Sequence, residues 1–258
     1  MKRIAMGFIV LCAVVSLVLA ASATAADKFP SKRITYKICF NPGGESDITA
    51  RFQEAALKKA LGVDVAITYQ VGGGGALCWA ELTRTKPDGY TIAGHNLPHT
   101  VVQPMEMGNA GYNTLDLKQI YMFESTPNVL FVRKDSPYKT LKEFVEAAKK
   151  QPAGVFTCGG SASSSANDLG TSMLNKAAGI KLTYIPFGGT GSAIPALLGG
   201  HVTALMSYST MAIQQKDQFR ALAIATEKRM EVLPDLPTFR EQGYDVVEGA
   251  YRGVAAPP

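Results

Sequence analysis

The sequence lacks the residue patterns of common metal and redox sites. Its 258 residues include only three histidines, four cysteines and one tryptophan. No two cysteines form a C-x-x-C pair, and no two histidines are placed on one face of a predicted helix, as many zinc sites require. We therefore expect neither a bound metal ion nor a cofactor in this chain.

The glycine-rich segments also lack the signatures of nucleotide-binding loops and of serine hydrolases. None is followed by the lysine and hydroxyl residue of a phosphate-binding loop. Gly189 and Gly191 match the first two glycines of a dinucleotide-binding loop, but Ile194 takes the third place. Ser161 and Ser192 lack the flanking glycines of a nucleophile elbow. The sequence thus predicts no catalytic residues, and we expect a protein that is not an enzyme.

Charge is sparse along the chain. Charged residues make up 18% of the sequence, and the formal net charge is +5. The basic residues are scattered, with no run longer than the pairs Lys58-Lys59 and Lys149-Lys150. A stripe of basic residues that could follow a nucleic acid backbone is absent from this pattern. We therefore expect no nucleic acid partner.

The N-terminus carries the long apolar run of the sequence. Lys2 and Arg3 precede an uncharged segment, residues 4–21, which is followed by small residues up to Ala25. This order is typical of a secretory signal peptide, and we predict cleavage after Ala25. Removal of residues 1–25 takes away two basic residues, so the formal charge falls from +5 to +3. The prediction is a periplasmic protein, and the alternative is a retained membrane anchor.

Three cysteines remain after this cleavage: Cys39, Cys78 and Cys158. An odd number of widely spaced cysteines does not form a disulfide framework. Cys39 lies in an apolar strand pattern and Cys78 in a helical one, so we favour buried free thiols. The alternative is that one pair is bridged in an oxidising compartment.

Four glycine-rich segments stand where a strand pattern changes to a helix pattern. In the first, residues 41–47, the period of the apolar residues changes from two to about 3.6. Glycines allow a tight turn, and a helix N-terminus that follows one offers N–H groups to an anion. The other three segments are Gly72–Gly75, Gly159–Ser165 and Gly188–Ser192.

Strand and helix patterns alternate along the whole chain, and the pattern restarts near Asn128. Residues 128–132 read as a strand, residues 141–150 and 166–178 as helices, and residues 101–116 mostly as a loop. Alternation of this kind predicts an α/β fold with mainly parallel sheets flanked by helices. Ligands of such sheets bind beyond the carboxyl ends of the strands. We therefore predict two domains whose glycine loops face one cleft.

The glycine loops suit a carboxylate ligand. They supply backbone N–H groups, small hydroxyls and helix N-termini, which together bind negative charge without performing a reaction. The alternative for each loop is a tight turn with a helix cap. Asp47 could cap its helix or bind an ammonium or hydroxyl of the ligand, with capping favoured. His95 could line the cleft, and Tyr208 could close it from one side.

Eight short segments from residue 29 onward follow one another in the order found in a known family. Together they resemble the periplasmic solute receptors of tripartite tricarboxylate transporters, known as Bug proteins. The segments are Phe29-Pro30-Ser31-Lys32, Pro42-Gly43-Gly44 with Asp47, Gly73-Gly74-Gly75-Ala76, Lys86-Pro87-Asp88-Gly89-Tyr90-Thr91, Pro127-Asn128-Val129-Leu130, Pro186-Phe187-Gly188-Gly189, Leu197-Leu198-Gly199-Gly200-His201-Val202 and Leu233-Pro234-Asp235-Leu236-Pro237-Thr238.

The resemblance implies an α/β, two-lobed type II periplasmic-binding-protein fold. The expected organisation is a first lobe at residues 26–127, a second lobe at 128–223 and a return to the first lobe at 224–258. Family members extend beyond the length of this chain, so truncation at the C-terminus is expected. Relatives often carry a histidine and a lysine where this chain has Asp168 and Gly188, so two possible positive charges are missing.

The resemblance also implies a function. The expected protein is a monomeric receptor that captures a small carboxylate and delivers it to the membrane permease of a tripartite tricarboxylate transporter. The alternatives are an extracytoplasmic hydrolase with an atypical serine at residues 161–165, and a sensor input for a signalling partner. The predicted ligand-binding residues are Gly43, Gly44, Ser46, Asp47, Gly74, Gly75, Ala76, His95, Ser161, Ser163, Ser164, Gly188, Gly189, Thr190 and Tyr208.

Overall fold

The computed structural model describes residues 28–258. The predicted signal peptide, residues 1–25, therefore lies outside the described residues. Within the part of the chain that is described, every helix is too short or too polar to cross a membrane.

The described residues form nine strands and seven α-helices. The strands are β1 (Ile34–Ile38), β2 (Val65–Tyr69), β3 (Thr91–Leu97), β4 (Lys118–Arg133), β5 (Thr157–Ser161), β6 (Thr183–Phe187), β7 (Ala204–Tyr208), β8 (Phe219–Ile224) and β9 (Gly249–Ala256). The helices are α1 (Glu45–Leu61), α2 (Ala76–Leu82), α3 (His99–Met107), α4 (Leu141–Lys149), α5 (Ala166–Ala178), α6 (Thr190–Leu198) and α7 (Ser209–Gln214).

Local sequence signals set several of the helix ends. At the start of α4, the side chain of Thr140 accepts a hydrogen bond from the backbone of Glu143, whose side chain bonds back to the backbone of Thr140. Helix α5 begins after Ser165, whose hydroxyl accepts from the backbone of Asp168. It ends at Gly179, which takes the left-handed conformation that favours glycine.

The first lobe is built on β1, with β2 and β3 parallel to it on either side. Strand β9 lies antiparallel to β3 and continues the sheet. Beneath the sheet and its loops, an apolar core gathers around Phe40, Trp79 and Leu82. The carboxyl ends of β1 and β3 lead into α1 and α3, which places both helix N-termini at one edge of the lobe.

The second lobe is built on β5, which is parallel to β6 and β7. The second half of β4 pairs antiparallel with β7 on one side and with β8 on the other. One large core lies around Phe144, Phe156 and Leu174, and it includes Phe239 and Val246 from the segment between β8 and β9. Residues after β8 therefore still pack on the second lobe.

Two neighbouring strands join the lobes. Strand β4 pairs with β9 from Lys118 to Pro127, and from Asn128 onward it pairs with the second-lobe strands. The N–H of Asn128 donates a 2.9 Å hydrogen bond to the carbonyl of Glu248. The result is the two-lobed α/β arrangement of type II periplasmic binding proteins. We propose lobe boundaries at residues 127/128 and 248/249, in place of the return at residue 224 that the sequence predicted.

Three elements differ from the sequence prediction. Strand β4 is 16 residues long instead of five, because its first half lies on the first lobe. Residues 99–107 form helix α3, where the sequence predicted mostly loop with a possible short helix. Strand β5 extends to Ser161, so the glycines at 159 and 160 lie in the strand and only the serines that follow form the turn.

The expectation of free thiols is wrong for two of the three cysteines. Cys39 and Cys78 form a disulfide. The bond joins the end of β1 to α2, so it ties together the bases of the first two glycine loops. Cys158 is free and buried, as expected. The apolar pattern around each cysteine could not predict whether it is free or bridged, because buried thiols and buried disulfides both occur in apolar surroundings.

Candidate functional site

A small cavity of about 20 Å³ lies between the two lobes. Its volume leaves room for one molecule of the size of water, so the lobes stand close together around it. The residues that line it come from both lobes and from the crossing strand β9. They are Phe40, Gly44, Glu45, Ser46, Asn96, His99, Ser161, Gly189, Thr190, Tyr208 and Arg252.

The N-termini of α1 and α6 face each other across this cavity. Gly44 precedes α1 and Gly189 precedes α6. A Cβ atom on Gly44 would stand 3.1 Å from the backbone nitrogen of Gly191, so the two ends approach as closely as glycine allows. Helix N-termini carry partial positive charge, and here two of them converge. The arrangement favours an anionic group between the lobes.

Asp47 holds the first glycine loop in shape. Its Oδ2 accepts a 2.8 Å hydrogen bond from the N–H of Gly43. Its Oδ1 accepts from Arg51 at 2.8 Å and from the hydroxyl of Tyr69 at 2.6 Å. Both carboxylate oxygens are therefore used within the first lobe. Asp47 supports the loop that leads into α1, and it does not line the cavity.

A buried polar chain holds the serine turn of the second lobe. The hydroxyl and the N–H of Ser161 both donate to Oδ1 of Asn167, at 2.6 Å and 3.1 Å. Asn167 donates in turn to Oδ1 of Asn128 at 2.9 Å. Asn128 lies where β4 enters the second lobe, so the network connects the cavity wall to the crossing strand. Ser164 donates to Glu106 of the first lobe, which adds a contact between lobes.

The structure gives the hydrolase alternative no support. A catalytic serine of the usual kind is activated by a histidine within hydrogen-bond reach. In residues 28–258, the hydroxyls of Ser161 and Ser164 bond to Asn167 and Glu106, and no serine of this turn bonds to a histidine. His201 is exposed on the far end of α6. A metal site of three or more histidine, cysteine or acidic side chains is likewise absent from this range.

The predicted ligand-binding residues fall into three groups. Those that line the cavity are Gly44, Ser46, Ser161, Gly189, Thr190 and Tyr208. Those that line a second, outer space between the lobes are Gly74, Ser163, Ser164 and Gly188. Those that line neither space are Gly43, Asp47, Gly75, Ala76 and His95.

The outer space is a groove of about 460 Å³. The first lobe contributes Gln103 and Met107, and the second lobe contributes Ala162 and Phe187. None of the residues that line the groove is charged. They are Gly73, Gly74, Gln103, Met107, Ala162, Ser163, Ser164, Pro186, Phe187 and Gly188. The groove therefore offers apolar contacts together with amide and hydroxyl groups.

The two spaces are neighbours at two points of the chain. Ser161 lines the inner cavity while Ala162 lines the groove, and Gly189 lines the cavity while Gly188 lines the groove. A Cβ on Gly74 would stand 2.7 Å from Cβ of Ala162, so a first-lobe loop touches the second lobe beside the groove. The inner cavity and the groove therefore adjoin each other.

His95 lies behind the cavity and His99 lies on it. Successive residues of a strand point to opposite faces, which explains why Asn96 lines the cavity and His95 does not. Nε2 of His95 lies 3.1 Å from the hydroxyl of Thr100. His99 is buried against the ring of Phe40, and neither of its ring nitrogens has a hydrogen-bond partner. Burial, assisted by the charge of Arg252, lowers the pKa of His99 to about 3.

Sequence reasoning missed two charged residues of the cavity, Glu45 and Arg252. Glu45 was taken as part of the glycine loop, although it is the first residue of α1. Arg252 lies on β9, more than 200 residues further along the chain, and the local sequence around it contains no motif. Of the two, only Glu45 could have been found from the sequence, because the helix dipole favours an acid at a helix N-terminus.

Glu124 lies next to these two charges. It is paired with Arg252 in the register of β4 and β9. Burial raises the pKa of Glu124, the charge of Arg252 lowers it and the charge of Glu45 raises it, with a net value of about 7. Two acids and one arginine therefore lie close together beside the cavity, and burial favours the protonated form of Glu124.

The comparisons with known proteins agree with this architecture. The tripartite tricarboxylate transporter family receptor matches residues 49–258. A UPF0065 protein of Cupriavidus necator, from the gbd 5' region, is 32% identical over 241 residues, which cover 90% of this chain and 71% of that protein. The periplasmic binding protein BugD is 29% identical, with a TM-score of 0.82 over 89% of this chain and 77% of the other.

A further structural relative was solved with a ligand. MatC from Rhodopseudomonas palustris, with bound malate, is 28% identical and has a TM-score of 0.80 over 89% of this chain and 79% of the other. The family match at residues 49–258 includes strands of both lobes and both crossings. Such a match implies a periplasmic location. On these grounds the chain belongs to the family of solute-binding receptors of tripartite tricarboxylate transporters, to which the Bug proteins also belong.

Proposed function

We propose that this receptor captures a small organic acid between its lobes and delivers it unchanged to the membrane permease of a tripartite tricarboxylate transporter. The observation that carries the proposal is the cavity between the N-termini of α1 and α6, because both lobes contribute to it. Helix N-termini are suited to hold a carboxylate.

Closure around the ligand is supported by direct contacts between the lobes. The N–H of Asn41 donates a 3.0 Å hydrogen bond to the carbonyl of Gly188. The hydroxyl of Thr210 donates to the carboxylate of Glu45. A ligand that touches both lobes adds to these contacts only in the closed state, so it shifts the population of the receptor toward closure. The permease can then recognise the closed form.

Thermal shift measurement on the purified chain tests ligand capture. The panel contains monocarboxylates, dicarboxylates including malate, tricarboxylates and amino acids. A ligand at a hundredfold excess over its Kd should stabilise the chain by about 2.7 kcal/mol. For a protein of this size, the increase in Tm should be on the order of 5–10 °C. If no organic acid stabilises the chain, the proposal fails.

Uptake measurement tests delivery. Cells that contain the permease should accumulate the radiolabelled ligand when this receptor is present in the periplasm. Gel filtration with light scattering checks the proposed monomer, which should elute with the mass of one chain. A receptor that binds its ligand but leaves uptake unchanged with its cognate permease would contradict the transport role.

A further inference from the structure

The inner cavity contains one buried acid and one buried arginine that do not pair with each other. Glu45 and Arg252 are 6% and 3% exposed. Both line the cavity, and among residues 28–258 no salt bridge joins them. A buried charge is costly unless it is paired and hydrogen-bonded. A ligand that carries both a donor of positive charge and an acceptor of negative charge would satisfy both groups.

Glu45 is half satisfied. Its Oε2 accepts a hydrogen bond from the hydroxyl of Thr210, while its Oε1 is buried without a hydrogen-bond partner. A carboxylate oxygen can only accept, so the missing partner must be a donor. The remaining volume of about 20 Å³ fits one group of the size of water, and an ammonium group has that size.

Arg252 is also half satisfied. One of its terminal nitrogens donates to the hydroxyl of Thr126, and its guanidinium lies 4.4 Å from the centre of the Tyr208 ring. Its Nε is buried without a partner. A guanidinium can only donate, so the missing partner must be an acceptor. Carboxylates are the usual acceptors for this group.

The charges that line the cavity distinguish between classes of carboxylate ligand. The cavity itself is lined by one acid and one base, and Glu124 lies opposite Arg252 on the neighbouring strand. A dicarboxylate or tricarboxylate would bring two or three negative charges next to Glu45. A ligand with one carboxylate and one ammonium group leaves the total charge unchanged and gives each buried group its partner.

The lining of the outer groove indicates the chemical character of the part of the ligand that lies outside the inner cavity. It adjoins the inner cavity, has about 460 Å³ and contains no charged lining residue. Met107, Phe187 and Ala162 supply apolar surface there. A charged side chain would find no partner of opposite charge among the residues that line the groove, so its loss of hydration there would be unfavourable.

We propose that the ligand is an α-amino acid with an uncharged side chain. In the bound state, whose lobes stand farther apart than in this structure, its carboxylate bonds to Arg252 near the N-termini of α1 and α6, and its ammonium group donates to Oε1 of Glu45. Its side chain extends into the outer groove. The inference rests on the proposed function, because it specifies the ligand of the same cleft.

Matched ligand pairs test the proposal by isothermal titration calorimetry. The pairs are L-alanine with L-lactate, L-valine with L-2-hydroxyisovalerate, L-leucine with L-2-hydroxyisocaproate and L-serine with L-glycerate. Each pair differs only in the ammonium group. At least one amino acid should bind about ten- to hundredfold more tightly than its hydroxy acid, the range expected for a charge-assisted hydrogen bond.

A second arm uses Glu45→Gln, which keeps the size of the side chain. This variant should reduce the affinity for the amino acid by a similar factor and leave the hydroxy acid nearly unaffected. Glu106→Gln is the matched control, because Glu106 bonds to Ser164 near the groove but does not line the inner cavity. It should retain the preference for the amino acid.

The outcomes separate this inference from the proposed function. If hydroxy acids, succinate or citrate bind at least as tightly as the amino acids, the inference is overturned while the receptor function stands. An increase in dicarboxylate affinity in Glu45→Gln, without amino acid binding, also overturns it, because Glu45 would then occupy the place of a ligand carboxylate. If no acid of any class binds, both proposals fail.

Discussion

The backbone N–H of Glu45 donates a 3.3 Å hydrogen bond to the hydroxyl of Thr190 on the opposite lobe. The first residue of α1 is thereby tied to the first residue of α6, and the two helix N-termini meet at the cavity. The glycines beside these residues determine whether the lobes can come this close. Four predictions about closure, stability and pH dependence follow from the surrounding contacts.

Gly191→Ala should block closure without disturbing either lobe. A Cβ at this position would stand 2.6 Å from the carbonyl oxygen of Pro42 and 2.7 Å from the nitrogen of Gly44, both backbone atoms of the other lobe. Overpacking of this kind costs about 1–3 kcal/mol, so ligand affinity should fall on the order of tenfold or more. Calorimetry measures the affinity, and small-angle scattering should show that ligand no longer compacts the chain.

Gly94→Ala is the matched control for this substitution. Gly94 lies in β3, and a Cβ there would meet its nearest neighbours at an ordinary 3.8 Å. This variant should bind and close like the original chain. Unchanged affinity in Gly191→Ala would show that the approach of α1 and α6 is not required for binding.

Loss of the Cys39–Cys78 disulfide should destabilise the first lobe. The bond closes a loop with a sequence separation of 39 residues. Removal of a native disulfide typically lowers the free energy of unfolding by about 2–4 kcal/mol. Urea denaturation of the double variant Cys39→Ala, Cys78→Ala measures the loss. Cys158→Ala, which removes the buried free thiol, is the comparison for the effect of a cysteine substitution alone.

Thiol counting gives an independent check of the same bond. In an unfolded chain that begins at residue 26, without reductant, one thiol should react, and three should react after reduction. The one is Cys158, and the three are Cys39, Cys78 and Cys158. Three reactive thiols before reduction would contradict the bridge.

Glu124 should make the chain less stable as pH rises toward neutrality. The pKa of Glu124 is raised to about 7 in the folded state, so between about pH 4.5 and 7 the folded chain keeps a proton that the unfolded chain has lost. The free energy of unfolding therefore falls across this range, by about 3 kcal/mol at most, because solvent screens part of the effect at this partly exposed side chain. Glu124→Gln cannot titrate and should lack this loss.

Denaturation at pH 4.5 and 7.5 measures the free energy of unfolding of the original chain and of Glu124→Gln, and the test is the difference between their pH dependences. Other titrating groups contribute equally to both, so they cancel. Identical pH dependence in the original chain and in Glu124→Gln would contradict the raised pKa.

His99 should have the opposite effect on the acid side. The pKa of His99 is lowered to about 3 in the folded state. As pH falls below about 6.5, His99 therefore becomes protonated in the unfolded chain while it stays neutral in the folded chain. Between pH 6.5 and 4.5 the free energy of unfolding should fall by about 2 kcal/mol through this residue. His99→Phe keeps a ring beside Phe40 and should remove the loss. His201→Phe, at an exposed histidine, should not.

Local signals predicted much of the fold. The bounds of α5, residues 166–178, follow from the capping serine before it and the glycine after it, and both are short-range effects. Strand β4 was predicted only in its second half, because its first half is largely exposed and has no clear alternation of apolar residues. Strand pairing across the lobes, which stabilises that half, is invisible in a local pattern.

The candidate site was predictable where backbone geometry defines it. Glycines and hydroxyl residues at strand ends led to the prediction of Gly44, Ser161 and Thr190, and all three line the cavity. The charges that select among ligands were not predictable in the same way. Arg252 reaches the cavity only because β9 returns between β3 and β4, a pairing of residues far apart in the sequence.

The hydrogen bond between Asn128 and Glu248 marks two points at which a segment of this receptor can be exchanged for that of a relative. The chain enters and leaves residues 128–248 at adjacent points, in the manner of an inserted domain. Such a segment can be exchanged between relatives with two splice points that stay in register. A chimera made at 127/128 and 248/249 would combine the Glu45 wall of this chain with the serine turn of another receptor, and so separate what each half contributes to ligand choice.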